Sequence, residues 1–150
     1  PGALLLGIGM GITVAPLTTT VMNSAPTAMS GTASGINNAV SRAAGVLAIA
    51  IFTALALTTF ASGVTTRTAD LPINDDARAQ IADESAKLAN ARAPQSLSAE
   101  QQVAVNDAFR LSFLDAYQLI AWGSALLAFL GAAMGWVFVG YTLRPRQYAL

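Results

Sequence analysis

Three long runs without a charged residue constrain this chain more than any other feature of its sequence. They cover residues 2–22, 43–61 and 116–143. A helix of about 20 residues rises about 30 Å, which is the thickness of the hydrocarbon core of a bilayer. Backbone groups find no water in that layer, so spanning segments of this length are helices. We therefore predict an all-α integral membrane protein with three transmembrane helices.

Composition agrees with a membrane protein and excludes several kinds of site. Only 11% of the residues are charged and 54% are hydrophobic, whereas about 25% of a typical soluble domain is charged. The chain has neither cysteine nor histidine, which excludes disulfides, a Ser-His-Asp triad and the common zinc sites. We expect no metal and no cofactor. The net charge of zero gives no indication of a nucleic-acid partner.

The apolar runs divide the chain into six segments. We predict three transmembrane helices, the second with a polar first half, at residues 1–22, 31–61 and 113–143. A turn, a long partly helical loop and a tail then occupy residues 23–30, 62–112 and 144–150. The chain starts without a methionine or a basic signal region, and we expect it to be the C-terminal piece of a longer protein.

Charges in the short segments predict the orientation. Arg42 follows the turn at 23–30, and the tail carries Arg144 and Arg146, with no acidic residue in either place. Positive charge in short segments marks the cytoplasmic side. We therefore expect a cytoplasmic turn and a cytoplasmic C-terminus. The loop at 62–112, which holds most of the acidic residues, is then extracytoplasmic.

Local signals predict two helices in the loop. Asn74 suits a helix N-cap in front of two aspartates, and the pattern favours a helix that continues to Arg92, before Pro94. A second helix is predicted to start at Ser98, with Gln101 completing a capping box, and to run on into the third span. We interpret the acidic residues as solvated helix faces and not as an acid–base pair.

Small residues recur on the first and third spans. Gly7 and Gly11 share one helix face, and Gly131 and Gly135 repeat the spacing. In lipid such faces allow helix backbones to approach closely, so we predict that both pack on other helices. Pro16 should kink the first span, and threonine hydroxyls or a neighbouring helix should satisfy the carbonyl that it frees.

The polar half of the second span carries the candidate site. Its residues fall at helical spacing on one face, namely Gly31, Gly35, Asn38, Arg42 and Gly45. Arg42 could be an anchor that reaches the headgroups, or a charge beside a cavity in the protein. We predict that Asn38 and Arg42 belong to a substrate pathway or a structural contact. Arginine keeps its proton, so Arg42 is not predicted to carry protons.

Three stretches, "GIGMGITVAPLTTTVMNSAP", "SGTASGINNAVSRAAGVLAIAIF" and "AFRLSFLDAYQLIAWGSALLAFLGA", are similar to a known family. Together they resemble the C-terminal end of EmrB/QacA-type drug:proton antiporters, the fourteen-span branch of the major facilitator superfamily. The resemblance covers nearly the whole chain. It is densest in a run of small and polar residues, which are Gly31, Ala33, Ser34, Gly35, Asn38, Arg42 and Gly45.

The resemblance implies the last three helices of a major-facilitator bundle in a bacterial plasma membrane. The whole protein would then be a multidrug efflux transporter for hydrophobic or amphipathic compounds, driven by protons. Its partners would be the lipid bilayer and the remaining helices of the transporter. The family's recognised proton-coupling residues lie outside this sequence, so the resemblance assigns none here.

Two further classes of function remain to be weighed against transport. A membrane-anchored sensor or assembly subunit, acting through its extracytoplasmic segment, is the alternative. An enzyme is not predicted, because the sequence offers no nucleophile, metal-ligand set or carboxylate pair at catalytic spacing.

Overall fold

The computed structural model describes residues 2–23 and 25–142, with only the backbone described for 138–142. Four α-helices follow one another, α1 (Gly2–Asn23), α2 (Ser30–Thr68), α3 (Asp75–Ser85) and α4 (Ala99–Thr142), and the described residues contain no strand. Short 3₁₀ turns lie at Thr27–Met29 and Leu88–Asn90. Three of the helices are long and apolar enough to cross a membrane. The predicted all-α architecture with three such helices is confirmed.

Packing divides the chain into two units, Pro1–Ala50 and Ile51–Leu150. In the first unit, α1 has no buried residue. It stays helical through Pro16, and four threonine hydroxyls donate to carbonyls one turn earlier, those of Gly9, Val14, Ala15 and Pro16. The carbonyl that lacks its amide donor because of the proline is that of Ile12. The threonines thus stabilise the neighbouring turns, and these four bonds do not satisfy that carbonyl as the sequence suggested.

The second unit has a small apolar core where α2, α3 and α4 meet. Residues one turn apart on α2 and on α4 face each other, which buries Phe60 and Val64 against Val105 and Phe109. The rings of Phe60 and Phe109 stack with centroids 6.0 Å apart. The core is completed by Ala56, Ala77, Ile81, Leu97 and Ala116. We call this assembly, residues 56–116, the cap.

The cap explains why two helices are longer than the predicted spans. α2 continues past residue 61 to Thr68, and α4 begins at Ala99, well before residue 113. Burying a large apolar side chain contributes about 1.5–3 kcal/mol. The phenylalanine and valine contacts therefore stabilise both helices beyond their apolar runs. Where the bilayer surfaces cross these helices remains a prediction.

The capping signals of the loop are confirmed. The side-chain carbonyl of Asn74 accepts a hydrogen bond from the Ala77 amide at 2.9 Å, at the start of α3. The Ser98 hydroxyl accepts from the Gln101 amide at 3.3 Å, and the Gln101 side chain accepts from the Ser98 amide at 3.0 Å. α4 follows this capping box and continues without interruption into the third apolar run.

The predicted end of α3 is wrong. The helix ends at Ser85 and not near Arg92. Leu88 adopts a left-handed backbone with φ of 50°, which is incompatible with a continuing helix, and its side chain packs against the cap core. The left-handed backbone and core contact of Leu88 thus accompany a boundary that helix propensity alone would place a turn or two later.

Candidate functional site

The five residues predicted to share one face of α2, which we call the stripe, lie on the surface of that helix. Asn38 and Arg42 are both exposed, and so are Gly31, Gly35 and Gly45 on the same face. No described residue forms an ion pair with Arg42. A methyl group placed on any of the three glycines would meet no described atom within 4 Å. The stripe is therefore not covered by any described residue of the chain.

The opposite face of α2 is the one that meets α1. Ala33, Ile36, Asn37 and Val40 line a shallow apolar groove of about 400 Å³ together with Val21 and Ala25. These α2 residues are about half a helical turn away from Asn38 and Arg42. Within the first unit, the α2 residues nearest α1 thus lie on the side that does not carry the stripe, and Ile36 and Val40 there remain exposed. Asn37 lines the groove, whereas Asn38, the asparagine predicted as a site residue, is exposed.

A polar cluster that the sequence reading missed lies between α2 and α4. The Arg67 guanidinium donates from Nη2 to the Asp115 carboxylate at 2.7 Å. Its Nη1 donates to the Ser112 hydroxyl at 3.3 Å and to the Gly63 carbonyl at 3.4 Å. Ser112 is fully buried, whereas Arg67 and Asp115 keep 33% and 47% of their side-chain surface. One arginine on α2 thus binds two acceptors on α4, and its third acceptor lies one turn earlier on α2 itself.

Gly63 makes this cluster possible. A methyl group on Gly63 would lie 2.8 Å from the Ser112 hydroxyl and 3.0 Å from Arg67 Nη1. Such distances are too short for unstrained contact, so only glycine leaves room for the guanidinium and the serine. Gly123 is the second tight position, because a methyl group there would lie 2.9 Å from the Phe52 ring. Both glycines mark close approach of α2 and α4.

The glycines predicted to pack are not the ones in contact. Methyl groups on the α1 and α4 candidates would meet no described atom within 4 Å, which holds for Gly7, Gly11, Gly131 and Gly135. The tight positions, Gly63 and Gly123, have no glycine three or four residues away. A spacing pattern of repeated glycines therefore does not reveal them. The packing of the predicted set on further helices stays a prediction.

A signal for the cluster was present in the sequence. Arg67 is the first charge after the second apolar run, and Asp115 is the last charge before the third. Opposite charges that end two consecutive apolar helices come close together when those helices pair antiparallel. The partner of Asp115 thus lies within this chain.

A second arginine closes the end of α2. Arg78 on α3 donates to the carbonyls of Thr68, Ala69 and Leu71 at 3.0–3.2 Å. The last carbonyls of a helix have no amide partner within it, and they carry the negative end of the helix dipole. A guanidinium satisfies both needs. Arg78 thereby holds α3 against the end of α2.

The acidic residues of the cap sit in open surroundings. Glu84 accepts from the Lys87 ammonium and from the Arg92 amide, and the Lys87 contact holds the pKa of this carboxyl below its usual value. Glu84, Asp83, Lys87 and Arg92 help line an open groove of about 570 Å³. Among the described residues no group of carboxylates is arranged to hold a metal ion. The geometry fits the predicted solvated faces.

Comparison with protein-family models, with curated proteins and with solved structures found no match for this chain.

Proposed function

We propose that this chain is the C-terminal part of a proton-coupled multidrug efflux transporter with a major-facilitator helical bundle. The observation that carries the proposal is the pattern of exposure. Three helices that could cross a membrane present small-residue faces that no described part of the chain covers. In a bilayer such faces are stable when another helix fills them.

The open faces occur on all three long helices. α1 presents Gly7 and Gly11, α2 presents its stripe around Arg42, and α4 presents Gly131 and Gly135. Each face needs a partner of its own, which supports a bundle larger than three helices. Transporters that work by alternating access are built from such bundles, and their substrates pass along polar surfaces inside them. The sequence resemblance to drug:proton antiporters supports the same class.

In this proposal residues 62–112 of the cap lie outside the cell and the turn before α2 lies in the cytoplasm of a bacterium. Asn38 and Arg42 are then on the cytoplasmic side of the bundle, where they border a cavity or a helix contact. The substrates are hydrophobic or amphipathic compounds, and inward proton flow drives their export. Proton-carrying groups are not assigned to any residue of this chain.

A membrane-anchored sensor or assembly subunit is the second candidate, and one observation favours it. Within Ile51–Leu150 the core gathers in the cap, which also carries the open polar groove beside Glu84. A protein that acts through an external segment needs such a folded unit. The transport proposal requires only that the cap connect α2 to α4.

The two candidates are separated by a transport assay on the protein expressed from its complete reading frame. The purified protein is reconstituted into proteoliposomes. The vesicles are loaded with ethidium, an amphipathic fluorescent cation, and a pH gradient is imposed across their membrane. Transport predicts ethidium movement against its gradient, which a protonophore abolishes. Protein-free liposomes are the control for leakage.

Absence of gradient-driven movement for ethidium and for an uncharged amphipathic dye would contradict the transport proposal. A sensor predicts the opposite pattern, in which deletion of residues 70–97 abolishes the cellular function and no dye moves. If the protein still moves the dye after the residues that line the Glu84 groove are replaced, the sensor candidate is excluded.

A further inference from the structure

One face of α4 changes from charged to aromatic just where the cap meets the apolar run. Arg110, Phe113, Leu114 and Tyr117 follow one another at helical spacing, and all four are exposed. Their exposed fractions include 43% for Leu114 and 62% for Tyr117. An exposed arginine followed by exposed aromatic and aliphatic side chains is the arrangement that a phospholipid contacts with its headgroup and its acyl chains.

The Arg110 guanidinium is available to an anion. Its nearest charged neighbour is Asp107, with 3.6 Å between Arg110 Nε and the carboxylate, and 69% of the Arg110 side chain is exposed. Arg67 and Arg78, by contrast, each spend their guanidinium on three acceptors. Arg110 makes no hydrogen bond to a described residue that would compete with a phosphate. Its remaining donors suit the planar pair of oxygens that a phosphate offers.

A groove leads from Arg110 toward the apolar run. It has a volume of about 300 Å³ and is lined by Leu88, Ala89, Ala91, Asn106, Phe109, Arg110 and Phe113. Its lining is mostly apolar, and Phe113 is the lining residue farthest along α4 toward the apolar run. An acyl chain or glycerol backbone fits such a surface, whereas a soluble polar ligand would leave the exposed part of Phe113 uncovered.

The spacing of the aromatic residues along α4 matches the thickness of the hydrocarbon core. Tyr117 and Trp136 are 19 residues apart, about 28 Å of helix, which matches the hydrocarbon thickness. Both side chains are exposed, as interfacial aromatic residues are. Arg110 lies seven residues before Tyr117, about 10 Å along the helix, which brings its flexible side chain within reach of the phosphates.

We propose that the Arg110 side of the cap is a phospholipid-binding surface, in which the guanidinium binds the lipid phosphate and Phe113, Leu114 and Tyr117 contact its acyl chains. The surface seats the cap on the adjacent leaflet, and the helix partner proposed for Gly131 and Gly135, five turns further along the same face, contacts α4 in the opposite leaflet. This inference depends on the membrane-spanning character of α4 and not on transport, so a failed dye assay leaves it standing.

Lipid binding is measured on the complete protein in detergent, as the rise in its melting temperature on adding dioleoyl phosphatidylglycerol. Dioleoylglycerol, which has the same tails without the phosphate, is compared in parallel. We expect Arg110→Gln to lose a measurable part of the rise that the phospholipid gives, and Arg110→Lys, which keeps the charge but not the planar donors, to lose less of it. Arg92→Gln is the matched control, because Arg92 is also exposed on the cap but lies beside the polar groove.

An equal rise in wild type and Arg110→Gln, or an equal rise with dioleoylglycerol, would overturn the proposal. A second measurement applies even if Arg110→Gln is unstable. Nitroxides at Val103, Leu114 and Ala121, which share one face of α4, report depth in phosphatidylglycerol vesicles by their accessibility to oxygen and to a water-soluble nickel complex. We expect water exposure at 103, an interfacial value at 114 and lipid exposure at 121. Water exposure at all three, or shielding from both quenchers at 114 by another protein segment, would exclude a lipid occupant.

Discussion

Arg67 on α2 and Asp115 on α4 join two helices within the cap, although 48 positions of sequence separate them. Their side chains meet at 2.7 Å, and the same guanidinium reaches the buried Ser112 hydroxyl. The contact fixes how α2 and α4 line up, because sliding by one turn would move the carboxylate about 5 Å from its partner. Gly63 leaves the space that the pair requires.

Removing either charge should loosen this contact. We expect Arg67→Ala and Asp115→Ala each to lower the stability of the complete protein in detergent by about 1 kcal/mol, since both side chains are partly exposed and screened. The charge exchange Arg67→Asp with Asp115→Arg should recover part of that loss. Melting temperatures measured in one detergent provide the check. If the exchanged variant is as unstable as the sum of Arg67→Asp and Asp115→Arg measured singly, the charges do not interact.

Adding one methyl group at Gly63 should cost more than removing the charge. Gly63→Ala places a carbon 2.8 Å from the Ser112 hydroxyl, and overpacking of this kind costs about 1–3 kcal/mol. Ser62→Ala, one exposed residue earlier, is the control and should melt like wild type. Equal melting temperatures for Gly63→Ala and Ser62→Ala would contradict a close helix contact at Gly63.

The small-residue face of α1 should matter only where its partner helices are present. We expect Gly11→Leu to reduce the folded yield of the complete protein several-fold, because a large side chain would separate two touching backbones. Substituting Leu5 by methionine, which stays apolar, should have little effect. Fluorescence-detected gel filtration measures both yields. Equal tolerance at the two positions would assign Gly11 to a lipid-facing surface.

Topology can be tested by labelling single cysteines in intact cells. Ser85 is buried and its hydroxyl bonds to the Ile81 carbonyl, so a cysteine there would be shielded on either side of the membrane. Ser24, in the predicted turn, lies outside the described residues. Exposed Gln95 in the cap and Thr27 in the turn are better positions. A membrane-impermeant maleimide should label Gln95→Cys but not Thr27→Cys, and the reverse result would invert the proposed orientation.

Arg42 should support transport more than folding. A run of 24 uncharged residues separates it from Arg67, which is about 36 Å of helix. This length favours a position for Arg42 near the cytoplasmic headgroups, at the edge of the bundle. We expect Arg42→Ala to reduce ethidium efflux at matched expression and Arg42→Lys to retain most of it. Wild-type efflux by Arg42→Ala would leave only the role of a headgroup anchor.

Features that depend on near neighbours were predictable from the sequence. The three apolar runs gave three long helices, and the caps at Asn74 and Ser98 formed as their residue types indicate. A capping hydrogen bond involves residues two or three positions apart. A long apolar run partitions into the bilayer because of its own composition. Neither needs knowledge of the fold.

Tertiary structure decided the contacts between distant residues. Arg67 and Asp115 are 48 residues apart, and nothing local states that their helices pair in the register that joins them. The end of α3 likewise accompanies the packing of Leu88 on a core drawn from three helices. Pairing of this kind depends on how α2, α3 and α4 share one apolar core. That arrangement is a property of the folded chain, because the free energy gained on burial depends on the apolar area that two surfaces remove from water together, and not on single residue types.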